Sequence, residues 1–391
     1  MKIFQIAPAW MDTPPKNHGG TEWVIANLIT GLSSLGHDVT LFATEQSHVR
    51  GKLKYVFWKS FLEQGIDWNM SLPALIHYFE AFKIASKYDI VHAHLSSETD
   101  MIIMPFLAEL TRKRIPNIMT VHSRWPFDRH SSTDEMFLKL YANKIFAVDI
   151  SASMHKTLPR QFRDGVFVHN SLDITKMKFN PKAGTYLTWL GKIIPEKGTV
   201  EAIKTAKKTG EQFIFAGVVD KYLETSVRYF KDKVKPLIDG DQIQYLGPAD
   251  LKLKNKLLGG AKAFLNPISW HEPFGMVILE SMACGTPVIS YNYGAVSELI
   301  VNNKTGYLVR GQGGILKAIK KIDSIDRRDC REHVANNFSP QAAALKYLEI
   351  YLKEISYHQR STSKKIKPSH NGHHKPIFRY PQPVLKLESP N

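Results

Sequence analysis

HEPFGMVILESMACGTPVIS, residues 271–290, is apolar along most of its length, yet it carries two carboxylates, Glu272 and Glu280, eight positions apart. Pro273 disfavours helix at Glu272. Phe274-Gly275 then leads into MVILESMACG, a helical stretch that closes at Gly285. AFLNPIS before it and PVISYN after it read as strands. The local order is therefore strand, loop, helix, turn, strand. In open α/β sheets ligands bind beyond the carboxyl ends of strands, where helix N-termini point. Free N–H groups at Gly275 and Met276, with Val277 next in line, favour an anion there.

Glu280 falls about one and a half turns into this helix, among Val277, Ile278, Leu279 and Met282. A buried carboxylate is costly without hydrogen bonds, and when ionised it only accepts them. Paired hydroxyls such as those of a ribose suit it. The competing reading is a Glu280 that faces solvent or pairs with a lysine. Glu272, in the loop, sits nearer the mouth and is placed to meet a second polyol. Phosphate at a helix start and hydroxyls on carboxylates together describe a nucleotide sugar.

The rest of the chain repeats the strand–helix alternation. KIFQIAP, DVTLFAT, DIVHAH, NIMTVHS, KIFAVDIS and GVFVHNS read as strands in residues 1–172. The periodicity lapses at SLDITKMKFNPKAG, a linker, and resumes with TYLTWLG, QFIFAGVV, QIQYLG, AFLNPIS and PVISYN within 185–338. Such alternation implies βαβ units and two parallel sheets. PQAAALKYLEIYLKEI is a long amphipathic helix over 339–357, expected to pack back on the first domain. Residues 358–391 read as a basic disordered tail; its His370, His373 and His374 are weak metal candidates.

Three further stretches carry candidate site residues. LGKIIPEKG places Lys192 and Lys197 after a strand, with Gly198 opening a helix; two cations there suit a diphosphate. HGGTE places Gly19 and Gly20 at a helix start, where the backbone approaches a ligand closely; Glu22 reads as a cap of that helix. The preceding loop, WMDTPPKNH, reads as mobile. TVHS puts His122 at a strand end, as a neutral imidazole that donates to a sugar hydroxyl or polarises an acceptor. His92 and His94 point the same way along their strand, with His94 nearer its end and within reach of an acceptor.

EPFGMVILE resembles the E-x7-E motif of retaining glycosyltransferases of the GT-B fold, family 4 (glycosyl transferases group 1), and the resemblance extends from Met1 to about Ile355. It implies two Rossmann-like domains facing a central cleft. Donor binding then falls to Gly19, Gly20, Lys192, Lys197, Glu272, Phe274, Gly275, Met276, Val277 and Glu280, and catalysis to His122, Glu272 and Lys197. Lys192 stands where the family usually has arginine, and Ser171 in HNSLD where it has glycine. Asn170 and Asp173 are expected to brace that hinge, and Glu298 to brace the second domain. The implied reaction moves a sugar from a UDP-, GDP- or ADP-sugar, UDP favoured, to the hydroxyl of a glycan, a lipid-linked or a small-molecule acceptor. No Asp-x-Asp pair sits at a strand end, and no metal or other cofactor is expected. The rival readings are a GT-B nucleotide-sugar epimerase, a pyridoxal-phosphate-dependent phosphorylase and a non-catalytic nucleotide-sugar-binding protein.

Composition sets the outer bounds. Of 391 residues, 43% are hydrophobic and 23% charged, which is ordinary for a globular protein. Two cysteines make no disulfide framework, and Met1 runs into KIFQIAPAW with no signal-peptide pattern, so a cytoplasmic protein is expected. The net charge is +16; the segment from Ser356 contributes seven basic residues against one acidic, leaving about +10 on the body. That charge favours anionic partners. With no nucleic-acid-reading motif, it points to nucleotide ligands and to peripheral contact with an anionic membrane at its inner face, with Arg112–Arg114 as the candidate contact.

Overall fold

The central apolar runs of the first half are buried at nearly every position, which a parallel sheet covered by helices on both faces requires. The computed structural model describes residues 1–16, 19–68, 70–124, 132–182, 184–221 and 223–363. Seven strands form the first sheet: β1 (Lys2–Ile6), β2 (Asp38–Thr44), β3 (Lys52–Phe57), β4 (Ile90–Leu95), β5 (Asn117–Val121), β6 (Phe146–Asp149) and β7 (Arg163–Phe167). Their order is β3-β2-β1-β4-β5-β6-β7. Six more form the second: β8 (Tyr186–Lys192), β9 (Phe213–Val218), β10 (Ile243–Tyr245), β11 (Ala261–Asn266), β12 (Val288–Tyr291) and β13 (Gly306–Val309), ordered β10-β9-β8-β11-β12-β13. Both sheets are parallel and doubly wound, as the alternation predicts.

Each sheet reverses its winding once, between β1 and β4 in the first and between β8 and β11 in the second. Those switch points open crevices at the carboxyl ends of the strands. The glycine loop follows β1, the Lys192–Lys197 stretch follows β8, and the Glu272 loop follows β11. Topology thus brings together the segments after β8 and β11, which are far apart in sequence, and puts the glycine loop at the switch point of the other sheet.

The 171–184 linker is pinned down more than its polar sequence suggests. Leu172 N–H donates to the Phe338 carbonyl (2.8 Å), and the Arg331 guanidinium donates to the Ile174, Met177 and Ala283 carbonyls. Arg327 reaches the carbonyls of Asn180, Gly259 and Ala261. Its periodicity lapses because arginines from a later helix satisfy its backbone, not because it is slack.

The final helix, Pro340–Ser363, runs past position 357. Its Ala344, Tyr347 and Tyr351 join the core of the first sheet. A Cβ on Gly31 would stand 2.2 Å from the Pro340 carbonyl oxygen, so glycine is needed where the helices meet. Arg163, Glu354 and His358 form a buried charged cluster at its far end. The tail histidines lie outside the described residues.

Candidate active site

The second domain supplies the acidic half of the site. Lys197 Nζ lies 2.5 Å from Glu272 Oε2, the Trp270 indole N–H donates to the same oxygen at 3.1 Å, and the ammonium sits 4.4 Å above the Trp270 ring. The pairing follows from the fold, since β8 and β11 are neighbours and their following loops must meet. Gly198 has φ 73°, and a Cβ there would stand 2.0 Å from the Pro267 carbonyl oxygen. Only glycine lets the Lys197 loop close against the β11 loop. The Trp189 indole fixes the Lys197 carbonyl at 3.0 Å. Behind Glu272, its carbonyl accepts from Ala295 N–H at 2.9 Å, and Gly294 packs against its backbone.

Glu280 lies on the helix Met276–Ala283, whose N-cap is Gly275 at φ 102°. Its carboxylate accepts from Lys254 Nζ at 2.6 Å. It also lines a small cavity of about 40 Å³ between the domains, with Lys16, Trp23 and Asn27 on one side and Lys254 and Met276 on the other. Glu280 thus pairs with a lysine and borders the gap between the domains. Lys16 and Trp23 bracket the Gly19-Gly20 segment in sequence. A larger cavity, about 610 Å³ between Met1, Asp89, Arg114, Leu352 and His358, sits at the opposite, amino-terminal edge of the first sheet, away from these residues.

Lys192, at the end of β8, is exposed and paired with Asp220 at 3.1 Å. Met276 lines the cavity, while Val277 packs on the domain core. The Phe274 ring is buried against His169 and Phe338, with centroids 5.8 and 6.2 Å away, and anchors the loop. An aromatic beside a glycine in an apolar run cannot reveal from sequence which way its ring turns.

In the first domain Gly20 begins the helix Gly20–Ser34, and the space where its Cβ would stand is open. Gly19, at φ 151°, is closed in: a Cβ would meet Glu22 Oε2 and Pro15 at 2.7 Å. Glu22 lies in the first turn of this helix, where its carboxyl accepts from its own backbone N–H. It is buried, and burial, with the nearby Asp100 charge, raises its pKa to about 7, although a backbone N–H opposes the shift. The loop before it is not slack in its described part. Trp10 N–H donates to Asp100 (3.0 Å), Thr44 Oγ1 to Asp12 (2.5 Å), and Thr13 N–H to Ser47 (2.9 Å).

His122 follows β5 and is 8% exposed. Burial lowers its pKa to about 3, so it is neutral, as expected. His94 does not reach an acceptor: it is fully buried, with Nδ1 2.9 Å from His122 Nε2 and Nε2 2.8 Å from Gln5 Oε1. His92 is likewise spent, on Tyr351 and Thr120. Glu298 braces more than the second domain. It accepts from the Ala152 and Ser153 N–H groups and from His169, tying the loop after β6 across the domain boundary. Burial alone would raise its pKa, but those donors outweigh burial and lower it. Ser151 Oγ adds a bond to the Pro273 carbonyl at 2.8 Å.

Comparison with known proteins agrees with this layout. The family model described as glycosyl transferases group 1 matches residues 173–340, and that of glycosyltransferase family 4 matches residues 18–155. The chain is a family 4-like glycosyltransferase of the GT-B fold. It is 24% identical to a glycogen synthase of Mycobacterium tuberculosis over 90% of this chain and 94% of that protein. The fold is shared with a sucrose-phosphate synthase of Thermosynechococcus elongatus (TM-score 0.72, 18% identity, 91% of this chain, 99% of that one). It is also shared with the Anabaena protein Alr3699/HepE, solved with UDP and glucose (TM-score 0.68, 17% identity, 90% and 100%). Trp270, Lys254 and Asp220, which hold the site's charged groups, belong to none of the motifs read from sequence. No described helix of this glycosyltransferase is long and apolar enough to cross a membrane.

Proposed function

We propose that this glycosyltransferase moves a sugar from a nucleotide-diphosphate sugar to an acceptor hydroxyl with retention of anomeric configuration, and without a metal ion. The observation that carries the reading is Glu280 facing Lys16, Trp23 and Asn27 of the first domain across one cavity, with the Lys197–Glu272–Trp270 cluster on the neighbouring loops after β8 and β11. Glu280 accepts from ribose hydroxyls and Glu272 from hydroxyls of the donor sugar. Lys197, with Lys192 and the amides at Gly275–Val277, offsets the diphosphate charge that grows as the sugar leaves. The bond from the anomeric carbon to the diphosphate breaks, the acceptor oxygen bonds to that carbon on the same face, and its proton passes to the departing diphosphate oxygen. No protein nucleophile is needed. His122 aligns a substrate hydroxyl.

UDP-sugars are the favoured donors over GDP- and ADP-sugars, a preference supported by the UDP and glucose found in the Anabaena protein of the same fold. A thermal-shift panel of nucleotides and nucleotide sugars tests it, because a ligand of the folded state raises its melting point. The expected result is a rise with a UDP-sugar that EDTA does not reduce, and transfer activity equally indifferent to EDTA. No shift with any nucleotide sugar would overturn the reading. Shifts without turnover on glycan, lipid-linked and small-molecule acceptors would leave a binding protein.

The acceptor side has a surface of its own. The helix Ser71–Ile84 exposes Leu72, Ile76 and Phe79 along one stripe, and the helix Ser132–Tyr141 exposes Met136 and Leu140. Lys83 and Lys113 stand over Phe79 and Phe82 beside it. Arg112 and Lys113 pair with Glu109, and Lys83 with Glu80. An apolar stripe flanked by cations suits an anionic bilayer and hence a lipid-linked acceptor. Flotation with anionic but not neutral liposomes, lost in Leu72→Glu/Phe79→Glu, is the expected result.

A further inference from the structure

On one face of the first sheet, the strands β1, β4 and β5 begin with isoleucines and end with polar side chains. Ile3 gives way to Gln5, Ile90 to His92 and His94, and Ile118 to Thr120 and His122, at alternate positions that share a face. The final helix lays Tyr347 and Tyr351 over them. The result is one continuous buried chain of hydrogen bonds. His122 Nε2 meets His94 Nδ1 at 2.9 Å, His94 Nε2 meets Gln5 Oε1 at 2.8 Å, and Gln5 Nε2 donates to Tyr351 Oη at 3.0 Å. From Tyr351 it continues to His92 (2.7 Å), Thr120 (2.7 Å) and Tyr347 (3.0 Å).

The chain has a direction. Gln5 donates its amide N–H to Tyr351, so its carbonyl oxygen must accept from His94 Nε2–H. A neutral His94 then has a bare Nδ1, which accepts from His122 Nε2–H. His122 is left with a bare Nδ1, which is buried and has no partner among the described residues. A buried acceptor left without a donor is costly. His122 stands at the carboxyl end of β5, next to β6, whose following loop bonds the Pro273 carbonyl of the second domain. The open valence therefore lies on the edge of the sheet that meets the cleft.

We propose that Gln5, His94 and Tyr351 are positioning residues that fix the tautomer of His122, so that its Nδ1 accepts a hydrogen bond from a substrate hydroxyl. This rests on the sugar-transfer reading of the cleft. It also reverses the role the sequence suggests for His122, from donor to acceptor. Tyr351 arrives on the last described helix, after the second domain is complete, so the polarity of the first domain's site depends on that helix docking.

The tautomer is read directly by 15N NMR of histidine-labelled protein, with the His122 signal assigned by its loss in His122→Gln. The expected result is an unprotonated Nδ1 and a protonated Nε2. A protonated Nδ1 would overturn the proposal, whatever becomes of the transfer reaction. Tyr351→Phe removes the acceptor that orients the Gln5 amide and is expected to shift His122 towards the other tautomer, three hydrogen bonds away, with a cooperative melt retained. His94→Leu removes the acceptor for His122 Nε2–H, and substrate affinity should fall about tenfold, the worth of one hydrogen bond. His94→Asn puts a carbonyl oxygen where Nδ1 was and should restore affinity to within about twofold. A lower affinity for nucleotide sugar but not for free nucleotide assigns the hydroxyl to the donor sugar; a raised KM for acceptor alone assigns it to the acceptor. His94→Leu with wild-type affinities for both would overturn the proposal. If His94→Leu does not fold, the wild-type tautomer and Tyr351→Phe still decide.

Discussion

Lys197 Nζ and Glu272 Oε2 lie 2.5 Å apart under the Trp270 indole, so the cation assigned to the diphosphate and the carboxylate assigned to the sugar form one unit. Each holds the other in place. A diphosphate that draws on Lys197 frees Glu272 to accept from sugar hydroxyls, so the two halves of the donor are recognised together. Lys197→Ala should lower kcat by about 100-fold or more, as for loss of other transition-state charge contacts. It should also cost about 1–3 kcal/mol of stability, because Glu272 is left buried and under-satisfied. Steady-state kinetics and chemical denaturation measure the two. If Lys197→Ala kept full turnover, the diphosphate role would be lost.

Glu280 separates binding from chemistry. Its carboxylate touches Lys254 and the cleft but none of the Lys197–Glu272–Trp270 cluster. Glu280→Ala should weaken nucleotide-sugar and free nucleotide binding alike, by about tenfold or more, since one charge-assisted hydrogen bond is worth about 1.5–3 kcal/mol. Calorimetric titration with UDP checks this. An unchanged Kd would remove the ribose from Glu280.

How much of this was legible depends on whether the signal was local. The E-x7-E spacing, the two lysines after β8 and the glycine pair after β1 each sit within one loop–helix unit, and sequence placed them at strand ends. Their pairing was not visible. Lys197 meets Glu272 only because β8 lies beside β11, an adjacency set by a winding reversal that no local pattern encodes. Lys254 comes to Glu280 from another helix, and Tyr351 to Gln5 across 346 positions. The motif places Phe274 in the loop but does not say which way its ring turns; His169 and Phe338, from other segments, hold it inward. Likewise WMDTPPK looked slack because its partners, Asp100, Thr44 and Ser47, lie in other segments.

The two glycines of the loop should respond differently to the same substitution. Gly20→Ala puts a methyl into open space at a helix start, where alanine favours the helix, so the protein should melt no lower than wild type. The methyl would stand where the backbone approaches the donor, and nucleotide-sugar affinity should fall. Gly19→Ala would drive its Cβ to 2.7 Å from Glu22 and Pro15 at φ 151° and should lower the melting point. Calorimetry on both variants, with and without a UDP-sugar, separates fold from ligand. Equal donor affinity in Gly20→Ala and wild type would remove the loop from the donor site.

Glu22 gives stability a pH dependence of unusual sign. Its folded pKa, about 7, lies above its ordinary value of 4.5, so between those limits the folded chain holds a proton that the unfolded chain has released. Stability from this group therefore falls as pH rises from about 4.5 to 7. At about 1.4 kcal/mol per pH unit, the loss is of order 3 kcal/mol across that window. The buried imidazoles act the opposite way. His77, His92, His94 and His122 have lowered pKa values, so the unfolded chain takes up their protons as pH falls below about 6.5 and stability is lost on that side. A bare stability–pH curve mixes the two. The difference between wild type and Glu22→Gln isolates the carboxyl, because the amide keeps the shape and cannot ionise. Denaturant midpoints from pH 4.5 to 7 should show Glu22→Gln gaining on wild type as pH rises. A constant gap would mean that Glu22 carries its charge in the folded protein.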